Sequence, residues 1–249
     1  MSITALQEAI RQKKTPIALG LMPALDKIQP KILKNFEEMF GPGAMANAEA
    51  FRYHGTQALD AAGDKLPAVV IHAESYLRFG MMGADVLWNL ISAAKSRGMY
   101  VIVDACTGEP NQWWDCGADA VTVNPYMGSG VCGVPEDKAV FAQVRTGNPT
   151  ADEVQKLMAG DRPLYAAVGE RMARKGAGLV IGTGYSLDIT EMRKRCDKAF
   201  LLLPDCDGAN AAPAFDDFGH GAMVVNYALQ YGSDADEAIR AMKEWVSVV

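Results

Sequence analysis

The sequence lacks the patterns that mark secreted, membrane-spanning and nucleic-acid-binding proteins. Its five cysteines include no Cys-x-x-Cys pair, which argues against a disulfide framework and predicts reduced thiols in the cytoplasm. No apolar run reaches the roughly 20 residues of a membrane span, and the mixed polar and apolar residues 1–14 predict no secretory signal. With 24 basic and 30 acidic residues, the net charge is −6. We therefore expect neither nucleic acid nor a membrane as a partner.

What the sequence does contain is a series of short apolar runs that alternate with helical patterns. The runs cover residues 16–21, 67–72, 100–104, 120–124, 139–145, 179–182, 200–203 and 223–226. Continuous apolar runs of this length suit parallel strands that are buried on both faces. Eight such units in 249 residues match the usual size of one closed barrel. We therefore predict an α/β fold, a (β/α)8 TIM barrel, that forms a single domain over residues 1–249.

Several helix boundaries are also predicted. Residues 31–61 are expected to form two helices that are broken at Gly41-Pro42-Gly43, and residues 81–97 one helix that Gly98 ends. Three pairs fit a capping box at a helix start: Thr150 with Glu153, Asp188 with Glu191, and Ser233 with Asp236.

Motifs in the middle of the chain resemble one known family. Residues 118–128 read ADAVTVNPYMG, residues 144–149 read VRTGNP, and Gln155 and the run PLY at 163–165 follow. This order and spacing resemble the longer bacterial orotidine 5′-phosphate decarboxylases, and weaker matches extend the resemblance nearly end to end. The resemblance implies a TIM barrel, a homodimer, and a cofactor-free carboxy-lyase of pyrimidine biosynthesis that converts orotidine 5′-phosphate to UMP and CO2.

The resemblance also implies the catalytic residues. The family's catalytic strand reads D-x-K-x-x-D, in which a lysine stabilises the negative charge that departing CO2 leaves on the ring. Asp104 matches the first carboxylate and Glu109 the second, but Cys106 stands at the lysine position. A thiol is not a fixed cation. We therefore expect a poor or inactive decarboxylase whose catalytic candidates are Asp104, Glu109 and Cys106.

Other ligand-facing positions depart from the family as well. Met22, Gly147 and Leu229 stand where the resemblance implies an aspartate, a pyrimidine-contacting serine and a phosphate-gripping arginine. Ligands of barrels bind at the carboxyl ends of the strands. The candidate ligand-binding residues at these ends are His72, Asn148, Gly182, Thr183, Asn210 and Asn226.

Two alternatives stay open for other residues near the strand ends. Cys106, Cys132 and Cys206 could supply a nucleophile or metal ligands, or could fill space, and we expect no metal because no ligand spacing supports one. Trp113 and Trp114 could stack on a ligand ring or plug a shortened loop.

The function inferred from the sequence therefore has two versions. In the first, the chain is an orotidine 5′-phosphate decarboxylase-like enzyme with weak or no activity. In the second, it is a non-catalytic or repurposed barrel that binds another nucleotide, a sugar phosphate or a protein partner. A small phosphorylated, nucleotide-like ligand is compatible with both.

Overall fold

Eight parallel strands close into a barrel in the computed structural model, which describes residues 2–182 and 186–249. The strands are β1 Ile17–Leu21, β2 Ala68–His72, β3 Tyr100–Thr107, β4 Ala120–Val123, β5 Ala139–Arg145, β6 Gly178–Ile181, β7 Leu201–Pro204 and β8 Ala222–Asn226. Each strand pairs with its neighbours in the chain, and β8 pairs with β1 to close the ring. The predicted (β/α)8 TIM barrel is confirmed.

Helices follow most strands and cover the outside of the barrel. They are α1 Ile3–Lys13, α2 Pro30–Phe40, α3 Ala44–Ala62, α4 Ala73–Leu77, α5 Met81–Ser96, α6 Asp152–Gln155, α7 Leu164–Ala173, α8 Ser186–Arg195, α9 Gly208–Ala211 and α10 Ala235–Lys243. Short 3-10 turns occupy Leu25–Lys27, Pro110–Trp113, Pro125–Met127, Ser129–Cys132, Ala212–Ala214 and Ala228–Tyr231. A two-stranded hairpin pairs Met158–Ala159 with Arg162–Pro163.

The predicted break between α2 and α3 is confirmed. α2 ends at Phe40 and α3 begins at Ala44. Gly41 and Gly43 have φ of +78° and +144°, which residues with a side chain rarely adopt. The predicted end of α5 is also confirmed, since Gly98 has φ +74° directly after the helix.

The capping box predicted at Thr150 and Glu153 is wrong. α6 begins only at Asp152, after Ala151, and no side chain caps it. The Glu153 N–H donates to the main-chain oxygen of Thr150 (3.1 Å) and not to its hydroxyl.

The other two capping boxes are also wrong. Asp188 lies inside α8, where its carboxylate binds Arg145 instead of the start of the helix. α10 is capped by Asp234, one residue after the predicted Ser233, and the Asp234 side chain accepts from the N–H of Asp236.

The hydrophobic core has two layers. The inner layer fills the barrel with side chains such as Val70, Ile102 and Phe141. The outer, larger layer lies between the strands and the helices. No helix within residues 2–182 and 186–249 is long and apolar enough to cross a membrane. Because the interior is filled, open space for a ligand is confined to the barrel ends and the surface.

Candidate active site

A cavity of about 220 Å³ lies at the barrel mouth, where the carboxyl ends of β3, β5, β6, β7 and β8 converge. It is lined by Asp104, Gln143, Arg145, Thr146, Gly147, Val180, Gly182, Pro204, Asp205 and Tyr227. The mouth is the usual place for chemistry in this architecture. Polar side chains there can contact a ligand while the strands hold them in fixed positions.

Asp104 is the candidate catalytic carboxylate that lines this cavity. Its Oδ1 accepts hydrogen bonds from the Thr122 hydroxyl (2.6 Å) and the Gln143 amide (2.9 Å). The Thr122 Oγ1 in turn accepts from the backbone N–H groups of Ala105 (3.0 Å) and Cys106 (2.8 Å). One buried hydroxyl therefore fixes both the carboxylate and the backbone that follows it.

The backbone bulges at Cys106. Register between β3 and β4 passes from Val103 opposite Val121 to Thr107 opposite Val123, so four steps along β3 match two along β4. Cys106 has φ +44°, a left-handed conformation that is uncommon for residues other than glycine. The pKa of its thiol is raised, first by partial burial and then by the nearby Asp104 carboxylate. The thiol is therefore neutral near pH 7, and it supplies no positive charge at this position.

Glu109 is not brought into the mouth cavity. It is exposed just before the turn Pro110–Trp113, and its N–H donates to the Thr107 hydroxyl (3.0 Å). Trp113 and Trp114 pack partly buried against the outer core, which favours the plugging alternative over ligand stacking. The short link after β3 thus forms a 3-10 turn.

Arg145 is the cation at the floor of the cavity. Its side chain is 0% exposed and donates to Asp188 (2.8 Å), Asp152 (2.6 Å) and Gln155 (3.1 Å). The Tyr165 ring lies 5.8 Å from the guanidinium carbon. The buried arginine therefore links β5 to α6, α7 and α8, and its charge is neutralised by carboxylates of the protein itself.

The loop after β5 is held by its own hydrogen bonds. The Thr146 hydroxyl donates to Asn148 Oδ1 (2.6 Å) and accepts from the Gln155 amide (2.6 Å). Gly182 donates its N–H to the Arg145 carbonyl (2.5 Å). A Cβ on Gly182 would lie 2.5 Å from the Gly147 nitrogen. The two loops therefore touch through their backbones, and the Asn148 side chain is engaged within its own loop.

Three other predicted ligand-binding residues lie at a strand end or in the segment that follows a strand, but they do not line the mouth cavity. His72 is paired in register with Asp104, and its Nδ1 lies 2.9 Å from the Ser75 hydroxyl. The Asn210 amide donates to Asp207 (2.9 Å). The Asn226 side chain accepts from the Ala228 N–H (2.9 Å). Thr183, the remaining predicted ligand-binding residue, lies outside the described residues.

Tyr227 and Asp205 are two cavity residues that are not among the predicted catalytic and ligand-binding residues. A Cβ on Gly20 would overlap the Tyr227 ring, so the glycine makes room for it. Burial raises the pKa of Tyr227 above its ordinary value, and the charges of Asp104 and Asp205 raise it further. Asp205 is exposed, with φ +54°. The signal available for both was only their position directly after a strand.

The cysteines do not form a common cluster. Cys132 Sγ lies 3.8 Å from the Met172 sulfur, Cys206 is buried, and none of the five cysteines forms a disulfide. In the described part of the chain, no group of three or more His, Cys, Asp or Glu side chains could hold a metal ion.

Comparisons with known proteins agree on one family. The chain is similar to the orotidine 5′-phosphate decarboxylase of Clostridium novyi, with 27% identity over 85% of this chain and 82% of the relative. It is also similar to that of Natronomonas pharaonis, with 31% identity over 64% of this chain and 69% of the relative. No protein-family model matches the chain.

Solved structures give the same result. OMP decarboxylase of Leishmania donovani superimposes with a TM-score of 0.77 at 25% identity, over 96% of this chain and 95% of that one. Orotidine 5′-monophosphate decarboxylase of Plasmodium berghei shares the fold, with a TM-score of 0.79 at 14% identity over 98% and 97%. Fold and cavity define a TIM-barrel protein with a carboxylate-bearing pocket at the barrel mouth. The chain belongs to the orotidine 5′-phosphate decarboxylase family.

Proposed function

We propose that this chain is a member of the family that does not sustain the decarboxylation its relatives are named for, and that its mouth cavity binds another small molecule. The family reaction places negative charge on a ring carbon as CO2 departs. An ammonium group beside that carbon stabilises the charge and donates the proton. A chain that sustains this reaction therefore needs a cation at the barrel mouth that stabilises the carbanion and donates the proton.

The environment of Asp104 is the observation that carries the proposal. Both side chains that hydrogen-bond its carboxylate, Thr122 and Gln143, are neutral. The neighbouring Cys106 thiol stays protonated near pH 7 because its pKa is raised. Among the described residues that line the cavity, Arg145 is the one cation, and it is buried against Asp188 and Asp152. Within the described part of the cavity, no cation is therefore placed to stabilise a carbanion or to protonate it.

The expected defect is large. Removing one preorganised group that stabilises transition-state charge typically costs about 3–4 kcal/mol, which is on the order of a thousandfold in rate. The group that is lacking here, an ammonium, carries a full positive charge. We therefore expect any decarboxylation by this chain to be slower than that of its relatives by about a thousandfold or more.

The test is an assay of purified protein with orotidine 5′-phosphate, followed by the loss of the substrate's ultraviolet absorbance. The Clostridium novyi enzyme serves as the positive control under the same conditions. An Asp104→Asn variant of this chain identifies contamination, because a contaminating enzyme is unaffected by that change. Turnover similar to that of the control enzyme, abolished in Asp104→Asn, would show that the chain is an active decarboxylase of pyrimidine biosynthesis.

A self-associated form is part of the proposal. Six large apolar side chains stand exposed on the segments that follow β4, β5 and β6: Tyr126 (62%), Met127 (63%), Val154 (50%), Leu157 (57%), Met158 (66%) and Leu187 (82%). Exposed apolar side chains at one end of a protein are typical of an interaction surface. We expect a homodimer that covers this end, measured by sedimentation equilibrium, and a weaker dimer for Leu187→Asp. A monomer at all accessible concentrations would contradict it.

A further inference from the structure

The described lining of the mouth cavity carries two carboxylates, and one of them is held by neutral side chains. Asp104 and Asp205 both line it. Asp104 uses only Oδ1 for its bonds to Thr122 and Gln143. Among residues 2–182 and 186–249, no hydrogen bond or ion pair engages Asp104 Oδ2 or either oxygen of Asp205. Within these described residues, three carboxylate oxygens are therefore left available to a ligand.

The cation that lines the cavity, Arg145, does not neutralise the charge of these carboxylates. Arg145 is fully buried, and Asp188 and Asp152 neutralise its charge. Leu229, which stands at the position where the family resemblance implies a phosphate-gripping arginine, is buried and apolar. The site thus presents negative charge without an available guanidinium or ammonium group in the part of the chain that the structure describes.

We propose that the mouth cavity takes a small organic cation, whose ammonium group binds between Asp104 and Asp205, and not a phosphate monoester. This inference rests on the proposed function, in which the cavity still binds a ligand but the family reaction is lost. The site itself is given by the fold and by the cavity at the strand ends, and the carboxylates determine the charge of what enters.

Charge and size both support this ligand class. An ammonium group donates three hydrogen bonds and has no acceptor, which complements unpaired carboxylate oxygens. A phosphate dianion would meet like charges in a partly desolvated space, and such charges repel. The Tyr227 hydroxyl, which both carboxylates influence, adds a neutral polar contact. The cavity volume of about 220 Å³ is below the roughly 300–1,000 Å³ of pockets for drug-sized ligands.

The test compares three probes that share one skeleton and differ in charge. They are 3-amino-1,2-propanediol, glycerol and glycerol 3-phosphate. Binding is followed by NMR through the backbone amide signals of Gly147 and Gly182, which line the cavity. We expect saturable shifts with the amine, with an affinity at least about tenfold above that of glycerol, because charge-assisted hydrogen bonds are the stronger ones. Glycerol 3-phosphate should bind no better than glycerol.

Two matched variants test whether the amine binds at the carboxylates of the cavity. Asp205→Asn should weaken binding of the amine about fivefold or more, since it removes one charge and keeps the shape. Asp217→Asn, an exposed aspartate before β8, makes the same change outside the cavity and should leave binding unaltered. The amide spectrum of each variant reports whether it is folded.

Three outcomes would overturn the inference. The first is binding of glycerol 3-phosphate as tight as or tighter than that of the amine. The second is no amine-dependent shift at the cavity amides, and the third is a shift that Asp205→Asn leaves unchanged. Each of these results can occur while orotidine 5′-phosphate is not turned over, so it would refute the ligand class alone. Turnover of orotidine 5′-phosphate would instead refute the proposed function.

Discussion

Replacing Arg145 by methionine should destabilise the whole barrel. The guanidinium is fully buried and bonds Asp188, Asp152 and Gln155. Asp188 is itself largely buried, with 12% of its side chain exposed, so it would be left as an uncompensated charge. Removing one partner of a buried ion pair costs about 3–5 kcal/mol. We expect a loss of that size in the free energy of unfolding, measured by urea denaturation at neutral pH.

Two further variants test whether the loss of stability comes from the buried ion pair. Arg171→Met alters an exposed arginine on the neighbouring α7 and should change the free energy of unfolding by less than about 0.5 kcal/mol. The double variant Arg145→Met with Asp188→Leu removes both charges and should recover part of the loss, because apolar replacements of a whole pair are often tolerated. A loss below about 1 kcal/mol for Arg145→Met alone would refute the reasoning, since it would mean that no buried charge was left unpaired.

Three further predictions concern the bulge and the loops at the mouth. Thr122→Val should cost about 1–3 kcal/mol in thermal or urea unfolding, because the N–H groups of Ala105 and Cys106 lose their acceptor, whereas Thr122→Ser should be nearly neutral. Alkylation of Cys106 by iodoacetamide should require a higher pH than that of a free cysteine, because its thiol pKa is raised, and Asp104→Asn should lower the midpoint of the rate profile. Gly182→Ala should destabilise the protein by about 1–3 kcal/mol in the same unfolding assay, because its Cβ would lie 2.5 Å from the Gly147 nitrogen. Gly176→Ala is the comparison variant, since it places a side chain at a left-handed residue in an open turn and so measures backbone strain without a steric clash.

The barrel was predictable from the sequence because its signals are local. The strands are mostly apolar, and β5 was predicted with both boundaries correct at residues 139–145. Helix starts were predicted less well. A capping pattern consists of only a few residues, and their side chains can bind distant parts of the chain instead of the helix start. Asp188 shows this, since Arg145, which lies 43 residues away in the chain, uses the carboxylate that the pattern assigned to a helix start.

The candidate site was only partly predictable for the same reason. Asp104 was found through a motif, and it does line the cavity. Gln143 and Thr122 were not singled out, because each acts through a contact with Asp104 on a different strand. The bulge at Cys106 could not be read from local preference either, since it arises from a register shift between β3 and β4. Side chains that face one cavity from different strands leave no periodic signal in the sequence.

Introducing a lysine at position 106 is not expected to give an active decarboxylase. Among the described residues that line the cavity, Asp205 remains, and the one cation, Arg145, is paired with Asp188 and Asp152 and is not available for a phosphate. The Cys106→Lys and Cys106→Ala variants should therefore show the same residual rate with orotidine 5′-phosphate in the ultraviolet assay. A gain of about a thousandfold for the lysine variant alone would show that one ammonium was the only missing part. The charge of the rest of the mouth would then be compatible with a phosphorylated substrate, and the argument for a cationic ligand would fail with it.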